Sequence, residues 1–325
     1  MTRPHLILGI GELLWDILPE GSAHGGVPLA GASTVGLLGG APANFSVMAG
    51  RLGNHAVILS RIGRDDLGRL AIDCLDPLPV DAGSIEVDPT HETGRVTVSF
   101  ENGEPRYTIH QPAAWDFLEL TDEWVKLAER ADAICFGSLA QRSVESRKTI
   151  QTLAANAPAH CIRVFDVNLR APFYSSEVIQ ESLGLATVLK MNEQEAPTIL
   201  DLLGFSVTEG PSAPAFLRSC AERLLQEFSA LELVAVTRGG NGSLLVNRKE
   251  WHDHPGLSVK VADPIGAGDA FTAALTHYML RGAGLAVLNA AGNRWGSWVA
   301  SQPGAMPSLP DSVREAISAA IEAEP

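Results

Sequence analysis

The stretch "DPIGAGDAF", residues 263–271, sets two aspartates, Asp263 and Asp269, on either side of a Gly-Ala-Gly. The following "AFTAALTHYML" carries apolar residues at the three-to-four spacing of an amphipathic helix. Gly266, Ala267 and Gly268 then fall at a helix N-terminus, where unpaired N–H groups and the dipole attract an anion. Phosphate suits such a loop, yet Asp269 would repel it unless it had a chemical task of its own. A second stretch, "GGAPANFSVMAGRLG" at 39–53, joins Gly39 and Gly40 to another helical pattern. Its glycines let the backbone approach a ligand, and the Asn44 amide offers both donor and acceptor. Asp16 follows an early strand and a Gly-x-Gly. A carboxylate there can accept from two hydroxyls at once, as a sugar presents them. The plainer readings are a packed loop at 39–53 and a solvated turn carboxylate at Asp16.

Other positions speak less clearly alone. Asn192 and Glu195 in "KMNEQEA" stand three apart just after a strand. On a first helical turn they would share a face, and an amide with a carboxylate suits a hydrated Mg²⁺. An exposed helix start explains them equally well. "VTRGGNGS" at 236–243 reads either as a hairpin turn into "SLLVN" or as a seat for nucleotide ribose and phosphates at Gly239 and Gly242. "FDVNLR" sets Asp166, Asn168 and Arg170 at a strand's C-terminal end, where open α/β sheets bind ligands; buried salt-bridge partners are the alternative. "HDH" at 252–254 reads as surface residues rather than a metal site. The early "GIGE" lacks the third glycine of a dinucleotide fingerprint, with Leu14 in its place, and no P-loop motif occurs.

These residues need a scaffold, and the chain spells one. "LILGI", "AVILS", "AICFG", "IRVFDV", "TVLKM" and "LVAVT" read as buried strands, with helical patterns such as "SVESRKTIQTLAAN" between them. That alternation predicts an α/β fold: three layers, with a mostly parallel central sheet covered by helices on both faces. Residues 12–35 and 92–115 break the rhythm. "RVTVSF", a turn at "ENGEP" and "RYTIH" read as a β-hairpin, so a small antiparallel sheet beside the main one is expected, either a lid or an edge extension. The 325 residues suffice for a full core, and no linker marks a domain boundary. A formal charge of -14 argues against nucleic acid or an anionic membrane as main partner. Four scattered cysteines without a C-x-x-C, no signal-peptide pattern and no apolar run of about 18 residues point to a cytoplasmic protein with reduced thiols.

In this order, the motifs resemble the ribokinase-like (PfkB-type) family of ATP-dependent carbohydrate kinases over nearly the whole chain. "GGAPANFSVMAGRLG" is similar to the family's N-terminal signature and "DPIGAGDAFTAAL" to its highly specific C-terminal one. The resemblance implies Asp269 as the base that accepts the sugar hydroxyl's proton, and the amides of Gly266, Ala267 and Gly268 as the anion hole, with Arg170 beside them. It implies Asp16, Gly39, Gly40, Asn44, Asp166 and Asn168 on the sugar side. It assigns Asn192, Thr237, Gly239, Gly242 and Asn293 to the nucleotide side and Glu195 to Mg²⁺ through water. At Asp263 it implies a role near a monovalent cation such as K⁺, while Asp-Pro is also a good turn start. The helix terminus by itself would lower the pKa of Asp269. "GELLWDILPEG", "FDVNLRAPFY" and "GSLA" look most like fructokinases. Sugar-acid kinases of the family add a Tyr-x-Arg on the lid; here Thr108 and Ile109 follow Tyr107, leaving Arg106 as a substitute. A nucleoside kinase is a more distant reading. A non-catalytic sugar sensor would be expected to lose Asp269 or its glycines. The resemblance also allows a homodimer formed through the lid.

Overall fold

The computed structural model describes residues 3–19, 26–29, 34–101, 104–206 and 214–323, without the side chains of 99–101 and 104–106. Its strands in chain order are β1 (Leu6–Ile10), β2 (Leu14–Pro19), β3 (Val27–Pro28), β4 (Thr34–Gly39), β5 (His55–Leu59), β6 (Arg61–Gly63), β7 (Glu86–Asp88), β8 (Gly94–Glu101) and β9 (Glu104–Ile109). There follow β10 (Ala133–Gly137), β11 (Ile162–Asp166), β12 (Val188–Asn192), β13 (Leu233–Thr237), β14 (Ser243–Asn247) and β15 (Trp251–His254). The helices are α1 (Ala41–Arg51), α2 (Asp66–Leu75), α3 (Asp122–Ala128), α4 (Val144–Asn156), α5 (Ser176–Leu185), α6 (Glu195–Leu202), α7 (Pro214–Glu227), α8 (Ala267–Met279), α9 (Leu285–Ala300) and α10 (Asp311–Glu322).

The main sheet has eight strands in the order β15-β14-β13-β12-β11-β10-β1-β5, parallel from β5 to β13 and antiparallel at the β15 edge. Alternate side chains of each strand feed two cores. Leu8 and Ile10 of β1 join Phe136 and Phe165 under α3 to α7, while Ile7 joins Val164, Phe45 of α1, Phe271 of α8 and Trp295 of α9. Fully burying each such side chain contributes roughly 1.5–3 kcal/mol, which holds helices to both faces. From β1 the chain goes one way to β5 and later the other way to β10. Such a reversal opens a crevice at the strands' carboxyl ends.

The helix-poor segments form a second sheet, β3-β4-β2-β8-β9. It extends further than expected, to Gly39, and its central pair is parallel: Leu14 faces Gly94 and Ile17 faces Thr97. The 92–115 segment also runs into a short 3₁₀ helix, Ala114–Phe117. The hairpin pairing of β8 with β9 is as read from the alternation, with Val96 opposite Ile109. Its root is anchored in packed structure. A Cβ on Gly94 would lie 2.2 Å from Trp115 Nε1, so only glycine fits. Arg142 lies over the Trp115 ring, forms a two-pronged bond to Asp116 and donates to the His110 carbonyl. Trp15 of β2 is buried and donates from Nε1 to the Leu67 carbonyl at 2.9 Å. All four cysteines are free, three of them buried, and among the described residues no helix is long and apolar enough to cross a membrane.

Candidate active site

A pocket of about 520 Å³ lies between the crevice and the small sheet. Glu12 follows β1, Leu139 follows β10, and Asn168 and Arg170 follow β11; Asp16, Val96, Tyr107 and Ile109 reach in from the small sheet. The opposite wall is Gly40, Ala41 and Asn44 of α1 with Gly266, Gly268 and Asp269 of α8. Two helix N-termini therefore meet one cavity, and neither has a side-chain cap. Their unpaired amides and dipoles favour anionic or oxygen-rich ligands.

Local geometry explains the small residues. Gly266 is left-handed (φ 79°), and a Cβ on it would approach Ala305 to 2.7–2.9 Å. A Cβ on Gly268 would lie 3.0 Å from Lys190 Nζ, so the loop rests on a buried ammonium. Ala267 N–H is partly engaged, donating to the Pro264 carbonyl at 3.3 Å. Gly40 takes φ 109° with the Glu12 carbonyl against it. Gly39 is buried next to Asp16: a Cβ there would meet Asp16 Oδ2 at 3.4 Å.

Asn44 donates from Nδ2 to Asp269 Oδ2 at 2.7 Å, joining α1 to α8. Burial raises the Asp269 pKa from 3.8 to about 6, and the negative charge of Asp166 adds to this; the Asn44 bond, Lys190 and Arg170 pull the other way. Desolvation therefore outweighs the lowering expected from the helix terminus, leaving a carboxylate that is ionised at neutral pH yet able to take a proton. Burial likewise lifts Asp16 to about 6, against the pull of Arg170.

Several expected site residues do other work. Asp166 is buried away from this pocket: Oδ1 accepts from Lys190 Nζ at 3.0 Å and Oδ2 from Thr272 Oγ1 at 2.8 Å. It carries Lys190 rather than a sugar. Asn192 and Glu195 do not share a helical face. Asn192 ends β12, its Oδ1 accepting from the Gln194 and Glu195 amides, while Glu195 Oε2 accepts from Asn192 N–H. Glu195 Oε1 accepts from Leu169 N–H, tying the 168–170 loop to β12. With both oxygens on amides and 7 % exposure, Glu195 can reach a metal only through water. Thr237 ends β13 opposite Asn192. Gly239 (φ 56°) stands in open space, whereas Gly242 is pressed onto the backbone of 254–256, where a Cβ would meet the His254 carbonyl at 1.9 Å. Asn293 lies buried, donating to Ser243 Oγ at 2.7 Å within a network that includes Asn289. Asp263 Oδ1 accepts from Ile265 N–H and Oδ2 from Gly304 N–H, a turn cap that fastens the loop before α8. His252 and His254 are structural: Asn289 bonds His252, and His254, expected at the surface, is buried and accepts from Gly256 N–H. Among the described residues no His, Cys, Asp and Glu cluster is placed to hold a metal. The Arg106 side chain lies outside the described residues.

The sequence reading missed Lys190 and Glu12. Each left a trace: Lys190 is a charge inside the otherwise apolar "TVLKM", and Glu12 immediately follows the Gly-x-Gly.

The family model of the pfkB family carbohydrate kinases matches residues 5–312. This chain belongs to that family. The kinase is 30% identical over 293 residues to a putative sugar kinase, PH1459, of Pyrococcus horikoshii, covering 87% of this chain and 85% of that protein. It is 30% identical over 282 residues to the fructokinase of Escherichia coli, covering 82% and 81%. Among solved structures, the Pyrococcus sugar kinase in complex with ATP superposes with a TM-score of 0.75 at 29% identity, covering 92% of this chain and 94% of that one. A Vibrio cholerae fructokinase crystallised with fructose, ADP and calcium gives 0.77 at 26% identity, covering 97% and 98%.

Proposed function

We propose that this carbohydrate kinase transfers the γ-phosphoryl of ATP to a hydroxyl of a neutral sugar, fructose first, at a primary position. The observation that carries the choice is the set of hydroxyl-binding groups in the pocket wall: Asp16 and Asp269 line it with the Asn44 amide, beside Arg170 and Lys190. Carboxylates pair well with hydroxyls. The ATP-bound and fructose-bound neighbours support the two ligand classes.

In this reading Asp16 and Asn44 hold sugar hydroxyls, and Asp269 takes the proton of the attacking hydroxyl. The new bond joins the sugar oxygen to the γ-phosphorus, the bond to the β-phosphate oxygen breaks, and ADP leaves. Amides at Gly266 to Gly268, with Lys190 beneath, face the charge that spreads over the transferring group. A phosphoryl oxygen competes with Pro264 for the long Ala267 bond. The nucleotide lies toward Asn192, Thr237 and Gly239. Glu195 would hold phosphate-bound Mg²⁺ through water, and the ion would supply charge neutralisation at the phosphates. Asp263 serves as the turn cap that holds this loop in place. The small sheet is a lid that excludes water from ATP.

A panel of free sugars, sugar acids and nucleosides with ATP-Mg, read by ADP release, tests the assignment. Fructose turnover is expected. Turnover of 2-keto-3-deoxygluconate with none of fructose would overturn the choice of substrate and point to Arg106.

A further inference from the structure

Two acceptor atoms in the pocket wall, Glu12 Oε2 and Asn44 Oδ1, are buried without a hydrogen-bond partner. Glu12 follows β1 and Asn44 is on the first turn of α1, and both line the same pocket. The Glu12 carboxylate accepts from the Ala41 amide at the start of α1, and Asn44 lies three residues on, its own N–H on the Gly40 carbonyl. Residues so spaced share a helix face. Bulk solvent does not reach either atom in this conformation. The orientation of Asn44 is set by Asp269, which needs the amide's N–H side. Leaving both acceptors unpaired is unfavourable, since each has lost water without gaining a partner.

We propose that Glu12 is a positioning residue that works as a neutral carboxylic acid, its O–H donating to Asn44 Oδ1 so that Asn44 holds Asp269 for catalysis. One proton satisfies both orphaned atoms and completes a chain from Glu12 through the Asn44 amide to the base. Ionised Glu12 would instead face Asn44 with acceptor against acceptor.

The surroundings fit a neutral group. Glu12 is 3 % exposed. Burial raises its pKa from 4.5 to about 7, and Asp269 on α8 repels its charge; its own backbone, Arg170 after β11 and the Ala41 amide oppose that rise. Asp16 on β2 and Lys190 on β12 line the same pocket. The group is thus protonated below about 7 and loses its donor as pH rises above that value.

Difference infrared spectra of wild type minus Glu12→Gln, on the full ligand-free chain, test the proton without any substrate. A protonated-carboxyl C=O band at pH 6, disappearing with a midpoint near 7, is expected. Its absence at pH 6 overturns the proposal. The rate measurement rests on the kinase reading and uses the sugar found active in the panel. Glutamine keeps size and a donor, so Glu12→Gln should stay within about threefold of wild-type kcat at pH 6.5 and lose the alkaline decline. Glu12→Leu should lose about ten- to a hundredfold in kcat at every pH, as misplacement of a base does, with KM for ATP unchanged. Should Glu12→Gln fall as far as Glu12→Leu, or keep the wild-type alkaline limb, the neutral-donor role is wrong. Inactivity of wild type on every sugar, with the infrared band present, would count against the kinase substrate and not against Glu12.

Discussion

Asp269 gathers its properties from residues remote in sequence: its hydrogen bond comes from Asn44, 225 positions away. Replacing it with asparagine preserves size and helix start but removes the proposed base. The Asp269→Asn variant should lose about 10²–10⁴ in kcat while calorimetry shows both substrates still bound. Retention of a third of wild-type kcat would reduce Asp269 to a favourable first-turn charge, worth about 0.3–1 kcal/mol. Asp16 supplies the contrast, since it faces the pocket from the small sheet and not from a helix end. Asp16→Ala should weaken sugar binding by roughly 2–4 kcal/mol, because hydroxyls are left unpaired, with ATP affinity unaltered. Unchanged sugar affinity by calorimetry would leave Asp16 a half-buried strand carboxylate with no part in sugar binding.

Between elements, the joints that position the site are ionic and polar as well as apolar. Lys190 on β12, Asp166 on β11 and Thr272 on α8 form a buried link beneath the glycine loop. Lys190→Met leaves the carboxylate without its cation, which typically costs about 3–5 kcal/mol. Urea unfolding should show that loss, with a large part recovered in Lys190→Met/Asp166→Asn. A single variant as stable as wild type would mean the pair contributes no stability. At the far end of α8, His277 accepts from Asn54 Nδ2 at 3.0 Å; burial lowers its pKa from 6.5 to about 3, with Arg281 and His5 adding to this. The unfolded chain therefore binds a proton below pH 6.5 that the folded chain refuses. Its contribution is whole above 6.5 and is lost as pH falls toward 3. His277→Gln removes this coupling, so its melting temperature should fall less between pH 6.5 and 4 than that of wild type. Parallel acid profiles would dismiss His277 as a source of acid lability.

Across the whole molecule, the small sheet is held at its root by Gly94 against Trp115 and by Arg142, while Tyr107 near its rim is 63% exposed. A rooted sheet with a free rim suits closure over a ligand. Sugar plus a non-hydrolysable ATP analogue should slow amide exchange across β8 and β9 more than across β13 and β14; equal or absent protection would make this sheet a fixed edge. The fold and the two glycine-led helix starts were legible because their determinants are contiguous: five-residue apolar strands, "GGAPAN" and "DPIGAGDAF" declare themselves within a few residues. Asp166 was misassigned and Lys190 overlooked for the opposite reason. Their partnership joins neighbouring strands 24 positions apart, and no local spacing reports it. The pairing of Glu195 with the amides of Asn192 and Leu169, and the parallel seam between β2 and β8, were hidden in the same way. The amino-acid sequence by itself determined the layered α/β scaffold and the two glycine-led helix starts, with Asp269 in the first turn of the second, since short-range sterics and hydrophobic period suffice for those. Which carboxylates reach the pocket, which are spent on a buried lysine, and how far burial lifts their pKa values were decided only when long-range packing removed water from around them.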